Sequence, residues 1–283
     1  MADKMEITLL GSGTCVPSLD RYPCSLLIKG KDTCILVDAG PGIIGQVLKT
    51  GTSIHDIDVI LLSHFHVDHC ADLAPLLFAS KYPGVRRTKK LVLAGGGGIR
   101  GFFDRLCRAY EDTIRLAPDL FEILELPETG AAESTLRELN DPGNKGFPDA
   151  CRRGPDGLIR LPGLGGIRLA WRAMVHKPES RGFRFTDPTG FSVVYSGDTD
   201  HAPALVTLAR GADILVCESA MPDGFHVPGH LTPGMAGKIA SQAQVKKLVL
   251  THFYPECDTV DMAAQAQKTF DGPVALARDL LHL

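Results

Sequence analysis

A chain of 283 residues that is 44% hydrophobic and 22% charged has the composition of an ordinary globular protein and is long enough to bury a sizeable core. Its formal net charge of −3 gives no general attraction for nucleic acid or for an anionic membrane. No apolar run approaches the roughly 18 residues of a membrane-crossing helix, and the opening Met1-Ala-Asp-Lys-Met-Glu6 lacks the layout of a signal peptide. Eight cysteines fall without paired short spacings. A cytoplasmic protein with free thiols is therefore expected, with neither a disulfide framework nor a cysteine-type zinc site.

In chain order, Ile7 to Leu10 reads as a first strand that ends in Gly11-Ser-Gly13, a tight turn, since no third glycine opens a helix. Cys24 to Ile28 and Thr33 to Val37 read as the arms of a hairpin turning at Lys29-Gly-Lys-Asp32. The second arm runs into Asp38-Ala-Gly-Pro-Gly42 and then a helix from Ile43 to Lys49. Asp38 is read as a loop-bracing carboxylate in preference to a metal ligand. Val59 to Leu62 is wholly apolar, as a buried strand should be. Directly behind it stand His64, His66, Asp68 and His69. Imidazole and carboxylate suit zinc, iron or manganese. Strand alternation would send His64 and His66 to one side, and a turn would bring Asp68 and His69 in from another. That arrangement suits two metals better than one. A solvated, His-rich loop would gain nothing from four ligands at the mouth of a buried strand. Cys70 follows them directly.

A helix over Ala71 to Ser80, a strand over Leu91 to Ala94 and a helix over Ile99 to Tyr110 are expected next. The intervening Gly95-Gly-Gly-Gly98 suits either a phosphate cradle or a flexible connection. From about residue 126 to 166 prolines, glycines and charges dominate, which marks a loop-rich insertion, either a lid or an inert loop. Ile167 to Val175, Gly182 to Thr186 and Phe191 to Tyr195 read as antiparallel strands. Helices over Pro203 to Arg210, Thr232 to Gln244 and Val260 to Phe270 alternate with strands over Ile214 to Cys217, Lys247 to Leu250 and Val274 to Ala277. Three more candidate ligands, His176, Asp198 and His252, follow strands in this half. Two strand-rich halves with following helices predict two sheets packed face to face, flanked by helices, in one domain over residues 1–283.

The order His64-x-His66-x-Asp68-His69, His176, Asp198, His252, with Asp38 in a Val-Asp-x-Gly position, resembles the metallo-β-lactamase superfamily of hydrolases across nearly the whole chain. Within it, Ser196-Gly-Asp-Thr199, Gly182-Phe-Arg-Phe185, and Gly229-His-Leu-Thr232 before Thr251-His-Phe253 are similar to the ribonuclease Z branch and related phosphodiesterases. The resemblance implies an αββα sandwich and two divalent metal ions, zinc first, with manganese or iron as alternatives. It implies one metal on His64, His66 and His176, a second on Asp68, His69 and His252, and Asp198 bridging both. His230 would be an active-site histidine outside the metal shell, with Glu218 as its orienting carboxylate. Two metals about 3.5–4 Å apart would activate a shared water. Asp68 and Asp198 would orient it, and His230 would protonate the leaving oxygen or bind the phosphoryl oxygens. His201 and His226 are read as loop histidines.

Two departures bear on the substrate. The long arm that transfer-RNA-processing members carry between the third and fourth ligand motifs is absent between His176 and Asp198. The branch's Glu-Ala-Thr segment is replaced by Glu218-Ser-Ala220. Basic residues gather locally at Arg86-Arg-Thr-Lys-Lys90 and Arg152-Arg153, which are read as solvated faces. The expected partner is a small phosphodiester. Nucleic acid is not favoured, no membrane is implied, and a homodimer is left open. Hydrolysis of an ester, thioester or lactone, transfer-RNA 3′ processing, and a di-iron redox protein are the alternatives. The redox members resemble His-x-Glu-x-Asp-His, and His66 stands where their glutamate would be. A scaffold without metals is the remaining reading, and the full ligand set argues against it.

Overall fold

The computed structural model describes residues 4–82, 84, 87–132 and 164–283. The first half of the chain gives β1 (Glu6–Gly11), β2 (Ser25–Gly30), β3 (Thr33–Val37), α1 (Ile43–Lys49), β4 (Val59–Leu62), α2 (Val67–Cys70), α3 (Leu73–Ala79), β5 (Leu91–Gly95), α4 (Ile99–Ala109) and β6 (Phe121–Glu125). The second gives β7 (Thr129–Ala132), β8 (Arg168–Ala173), β9 (Arg181–Thr186), β10 (Ser192–Tyr195), α5 (Pro203–Ala209), β11 (Ile214–Glu218), α6 (Pro233–Ala243), β12 (Leu248–Thr251), α7 (Met262–Gln267), β13 (Val274–Leu276) and β14 (Leu281–His282).

Among the described residues these strands form two seven-stranded sheets, ordered β14-β1-β2-β3-β4-β5-β6 and β13-β12-β11-β10-β9-β8-β7. The two are built alike. Antiparallel pairing joins β14, β1, β2 and β3 in one, and β7, β8, β9 and β10 in the other. Helical crossovers then carry parallel strands from β3 to β6 and from β10 to β13.

Side-chain alternation sorts the first sheet's strands between two cores. Ile35, Val37, Val59, Leu61 and Val92 face the second sheet's Trp171, Phe183 and Phe185 in one cluster. Leu36, Ile60, Leu62 and Leu93 join Val47, Leu73 and Phe103 of α1, α3 and α4 in the other. Leu205, Ile239 and Met262 of α5, α6 and α7 close over the second sheet. The layers run helix, sheet, sheet, helix: the αββα sandwich. Central parallel strands are covered on both faces, which is why β4 and β12 read as unbroken apolar runs.

The helix expected over 71–80 starts earlier, as the single turn α2, and restarts as α3 after the Asp72 amide is taken by the Ala39 carbonyl at 2.8 Å. The helix expected over 260–270 is preceded by a 3-10 turn at Pro255–Thr259 and begins at Asp261, whose side chain caps the Ala264 amide. β6, β7 and β14 were not anticipated; β7 and β14 close sheet edges as short strands. The segment 126–166 is not wholly loop, because β7 lies in it and pairs with β8. Residues 133–163, with the lid reading and Arg152-Arg153, lie outside the described residues.

Trp171, fully buried in the inter-sheet core with its Nε1 donating to the Pro127 carbonyl at 2.9 Å, is the largest side chain there. Trp171→Ala should lower unfolding free energy by about 3–5 kcal/mol, measured by denaturant titration followed by circular dichroism. A loss below about 1 kcal/mol would contradict the packing described.

Candidate metal centre

The loops leaving β3, β4, β10, β11 and β12 depart from the carboxyl ends of parallel strands, the edge at which layered α/β folds bind ligands. They supply Asp38, then His64 to His69, then Asp198 and His252, with Glu218 the last residue of β11 itself. β4 ends at Leu62, so His64 and His66 lie in extended chain, and the one-turn α2 swings Asp68 and His69 into the same space. His176 was expected at a strand end. It lies in the turn between β8 and β9, past Ala173. That turn packs on Gly96: a Cβ there would lie 2.0 Å from the Glu179 carbonyl oxygen. Gly96 thus serves close backbone packing under the His176 turn, while Gly98 takes a left-handed φ of 90° at the start of α4.

All the expected ligands converge on Asp198, a residue only 2% exposed. Its Oδ2 lies 3.6 Å from His64 Nε2 and 3.9 Å from His176 Nε2. Its Oδ1 lies 3.3 Å from both His69 Nε2 and His252 Nε2. Asp68 Oδ2 stands on that second side, 3.7 Å from His69 Nε2 and 3.6 Å from His252 Nε2. His66 Nδ1 approaches His176 Nε2 at 3.2 Å on the first. Each carboxylate oxygen of Asp198 therefore addresses a different pair of imidazoles.

The rings are held from behind. Asp38, fully buried, accepts from the Ser63 amide at 2.7 Å, Ser63 Oγ at 2.8 Å, Tyr195 Oη at 2.9 Å and His69 Nδ1 at 2.8 Å. It braces the loop, as read from sequence, and also fixes His69 so that Nε2 faces inward. His176 Nδ1 donates to the Gly229 carbonyl at 2.9 Å, which turns its Nε2 inward likewise. His230 Nδ1 donates to Glu218 Oε1 at 3.1 Å, and Glu218 also accepts from the Thr199 and Leu231 amides at 2.6 and 3.1 Å. The His230 ring lies 4.9 Å from that of His176 and 5.5 Å from that of His252. His201 is exposed, and His226 leans on Asp200 at 3.2 Å, so both stand apart from the cluster. Cys70 is buried and donates to the His66 carbonyl at 3.1 Å.

This chain matches the metallo-beta-lactamase superfamily over residues 21–230. It belongs to that superfamily. An uncharacterized protein of Mycobacterium leprae is 33% identical over 275 residues, 95% of this chain and 85% of that one. A ribonuclease Z of Streptomyces avermitilis is 32% identical over 307 aligned residues, 98% of this chain and 97% of that one. The crystal structure of human tRNase Z, short form, shares the fold with a TM-score of 0.70 at 22% identity, covering 98% of each chain. The protein is a metal-dependent hydrolase of the metallo-β-lactamase superfamily.

The donor set of this superfamily member suits cations. His64 Nε2, His69 Nε2, His252 Nε2 and Asp198 Oδ1 are buried with no hydrogen-bond partner among the described residues. Such atoms cost roughly 1–3 kcal/mol each unless something pairs with them. Burial pushes His64 down to about 2 and His176 down to about 4, and lowers His66, so these rings keep free lone pairs at neutral pH. Burial acts against ionised Asp198, but His252 and His69 beside it hold its carboxyl well below the usual range. For His69, too, burial is outweighed: Asp198 and Asp38 raise it well above its ordinary value. A metal at its Nε2 would displace that proton.

Sequence reasoning missed three residues here. Cys24 Sγ lies within 4.8 Å of ligand atoms of His69, Asp198 and His252, and 3.2 Å from Tyr195 Oη. Tyr195 was read only as the end of an apolar strand. Arg181 was not singled out either, yet its amide donates to the Ser63 carbonyl at 2.9 Å and ties the His176 turn to the His64 loop. Asp38→Asn should leave the fold intact and weaken metal retention by roughly 10–100-fold in competition with a chelator. Unchanged retention would contradict the role of Asp38 behind His69.

Proposed function

We propose that the protein is a dinuclear metal-dependent phosphodiesterase acting on a small or nucleotide-like phosphodiester. His64, His66 and His176 would hold one metal, Asp68, His69 and His252 would hold the second, and Asp198 would serve both. The observation that carries this is the division of Asp198: Oδ2 toward His64 and His176, Oδ1 toward His69 and His252. Zinc is the first choice for such imidazole and carboxylate donors, with manganese or iron leaving the residue roles unchanged.

When bound, the metals supply Lewis-acid polarisation of a phosphoryl oxygen and a water acidified toward neutrality. The chain's residues do the rest. Asp68 and Asp198 orient the attacking water. His230, whose Nδ1 proton is committed to Glu218, keeps Nε2 for the substrate and gives the leaving oxygen its proton. Burial opposes a charged His230, but the hydrogen bond it donates to Glu218 outweighs it and raises the ring above its ordinary value. Glu218 is thus a positioning residue and His230 the general acid.

A small substrate is favoured because β9 and β10, a plain antiparallel pair, fill the span from His176 to Asp198 where an RNA-gripping arm would sit. The mild overall acidity points the same way. Transfer-RNA 3′ processing is the second reading, and the ribonuclease Z name of a relative 32% identical favours it. The first reading needs neither a second copy of the chain nor a membrane; among the described residues no helix is long and apolar enough to cross one. We place the protein in the cytoplasm, in keeping with the unpaired cysteines.

Elemental analysis of the loaded protein should give two metals per chain, and Asp198→Ala should remove both together with activity. His230→Ala should keep both metals and lower kcat on a phosphodiester by roughly 10²–10⁴-fold. Loss of metal from that variant would move His230 into the metal shell. Small phosphodiesters should be cleaved far better than precursor transfer RNA, and efficient, correctly placed RNA cleavage would reverse the order of the two readings.

A further inference from the structure

Beside the metal centre lies an open groove of about 490 Å³, with His66 and Asp68 at one end and Val16, Pro17, Val67 and Tyr254 among its walls. That volume is in the range of small-ligand sites, roughly 300–1,000 Å³. Among the described residues no lysine or arginine lines it. Arg21, on the same β1–β2 loop as Val16, is already held by Asp258 at 2.7 Å and lies over the Phe253 ring at 4.8 Å. Val16 and Val67 are nonetheless 38% and 61% exposed, so apolar surface faces water immediately next to a polar reaction centre.

Tyr254 is fixed in place. It follows the ligand His252 by two positions, its ring standing 6.0 Å from that imidazole and nearly perpendicular at 76°. Its amide donates to the Ala220 carbonyl at 3.3 Å, its own carbonyl accepts from the Cys257 amide at 3.0 Å, and Pro255 stiffens the next step. The preceding Phe253 amide donates to the Ser12 carbonyl at 3.0 Å, which anchors this segment to the loop carrying Val16. A rigid, half-buried ring beside three small apolar side chains offers a face for stacking. It offers nothing to a chain of phosphates.

We propose that this groove receives the flat aromatic part of the substrate, a nucleobase or an aryl ring, with Tyr254 as its stacking platform. The proposal rests on the phosphodiesterase reading and names the substrate class within it: a monoanionic phosphodiester bearing one planar aromatic group. The phosphodiester charge is met at the metal centre, and the aromatic group selects the substrate at the apolar end of the groove, between Tyr254 and Val16, Pro17 and Val67.

The test compares AMP with ribose 5-phosphate, which share a phosphate and a ribose and differ by the base. Their binding to the metal-loaded protein is measured by calorimetry and by inhibition of chromogenic diester hydrolysis. Wild-type protein should bind AMP more tightly by roughly 5- to 150-fold, the range of one base–aromatic stack. Tyr254→Ala should abolish most of that preference while leaving ribose 5-phosphate affinity, metal content and circular dichroism unchanged. Tyr254→Phe should retain the preference. Equal affinity of the wild-type protein for the two ligands, or a Tyr254→Ala variant that weakens both alike, would overturn the proposal. If no phosphodiester is hydrolysed, the phosphodiesterase reading fails, and calorimetry still decides whether the groove recognises a base.

Discussion

A carboxylate removed from water is tolerable only where opposite charge or strong donors meet both of its oxygens. Asp198 is such a group: fully surrounded, with two imidazole nitrogens facing each oxygen and none of those contacts shorter than 3.3 Å. These separations are too long for direct hydrogen bonds of good strength and suit an intervening cation on either side. His64 and His176, denied protons by burial, cannot neutralise the carboxylate themselves. On the Oδ1 side His69, raised well above its ordinary value, meets the carboxylate; the Oδ2 side has only neutral rings and suits a cation, and the surrounding fold holds those rings in place.

Backbone strain is concentrated in the same loops. Asp38, Gly197 and His252 follow β3, β10 and β12 and adopt left-handed φ values of 60°, 57° and 63°. For Asp38 and His252 that conformation is costly and persists only where neighbours over-determine it. At 197 a Cβ would approach Ser63 Cβ to 2.9 Å, so glycine is required there for the Asp198 loop to meet the His64 loop. Asp38 is the shared strut: it takes donors from its own sheet through Ser63 and from the other sheet through Tyr195. The sheets are thus joined at the site by hydrogen bonds as well as by the apolar core.

Local features were legible in the sequence and distant ones were not. His64 to His69 could be read because a buried strand followed by four donors in six positions has few structural explanations. The strands and helices of both halves were legible from apolar runs and glycine or proline punctuation, down to identical limits for β3, α1 and β4. Edge strands such as β14, of two residues, carry too little periodicity to register. Tyr195 and Cys24 were illegible as site residues because each looks like a strand residue. Their meaning comes from Asp38, 157 positions from Tyr195, and from the packing of one sheet on the other. His176 was assigned to the cluster through resemblance and order, while its place in a turn depends on Gly96, Arg181 and Gly229, which no local pattern links to it.

In the proposed two-metal reading, Asp198 divides one site into two. Anomalous scattering from crystals of the metal-loaded protein tests it most directly. Two peaks are expected, one facing Asp198 Oδ2 among His64, His66 and His176, and one facing Oδ1 among Asp68, His69 and His252. A single peak at full loading, or a second peak held by residues other than these, would contradict it.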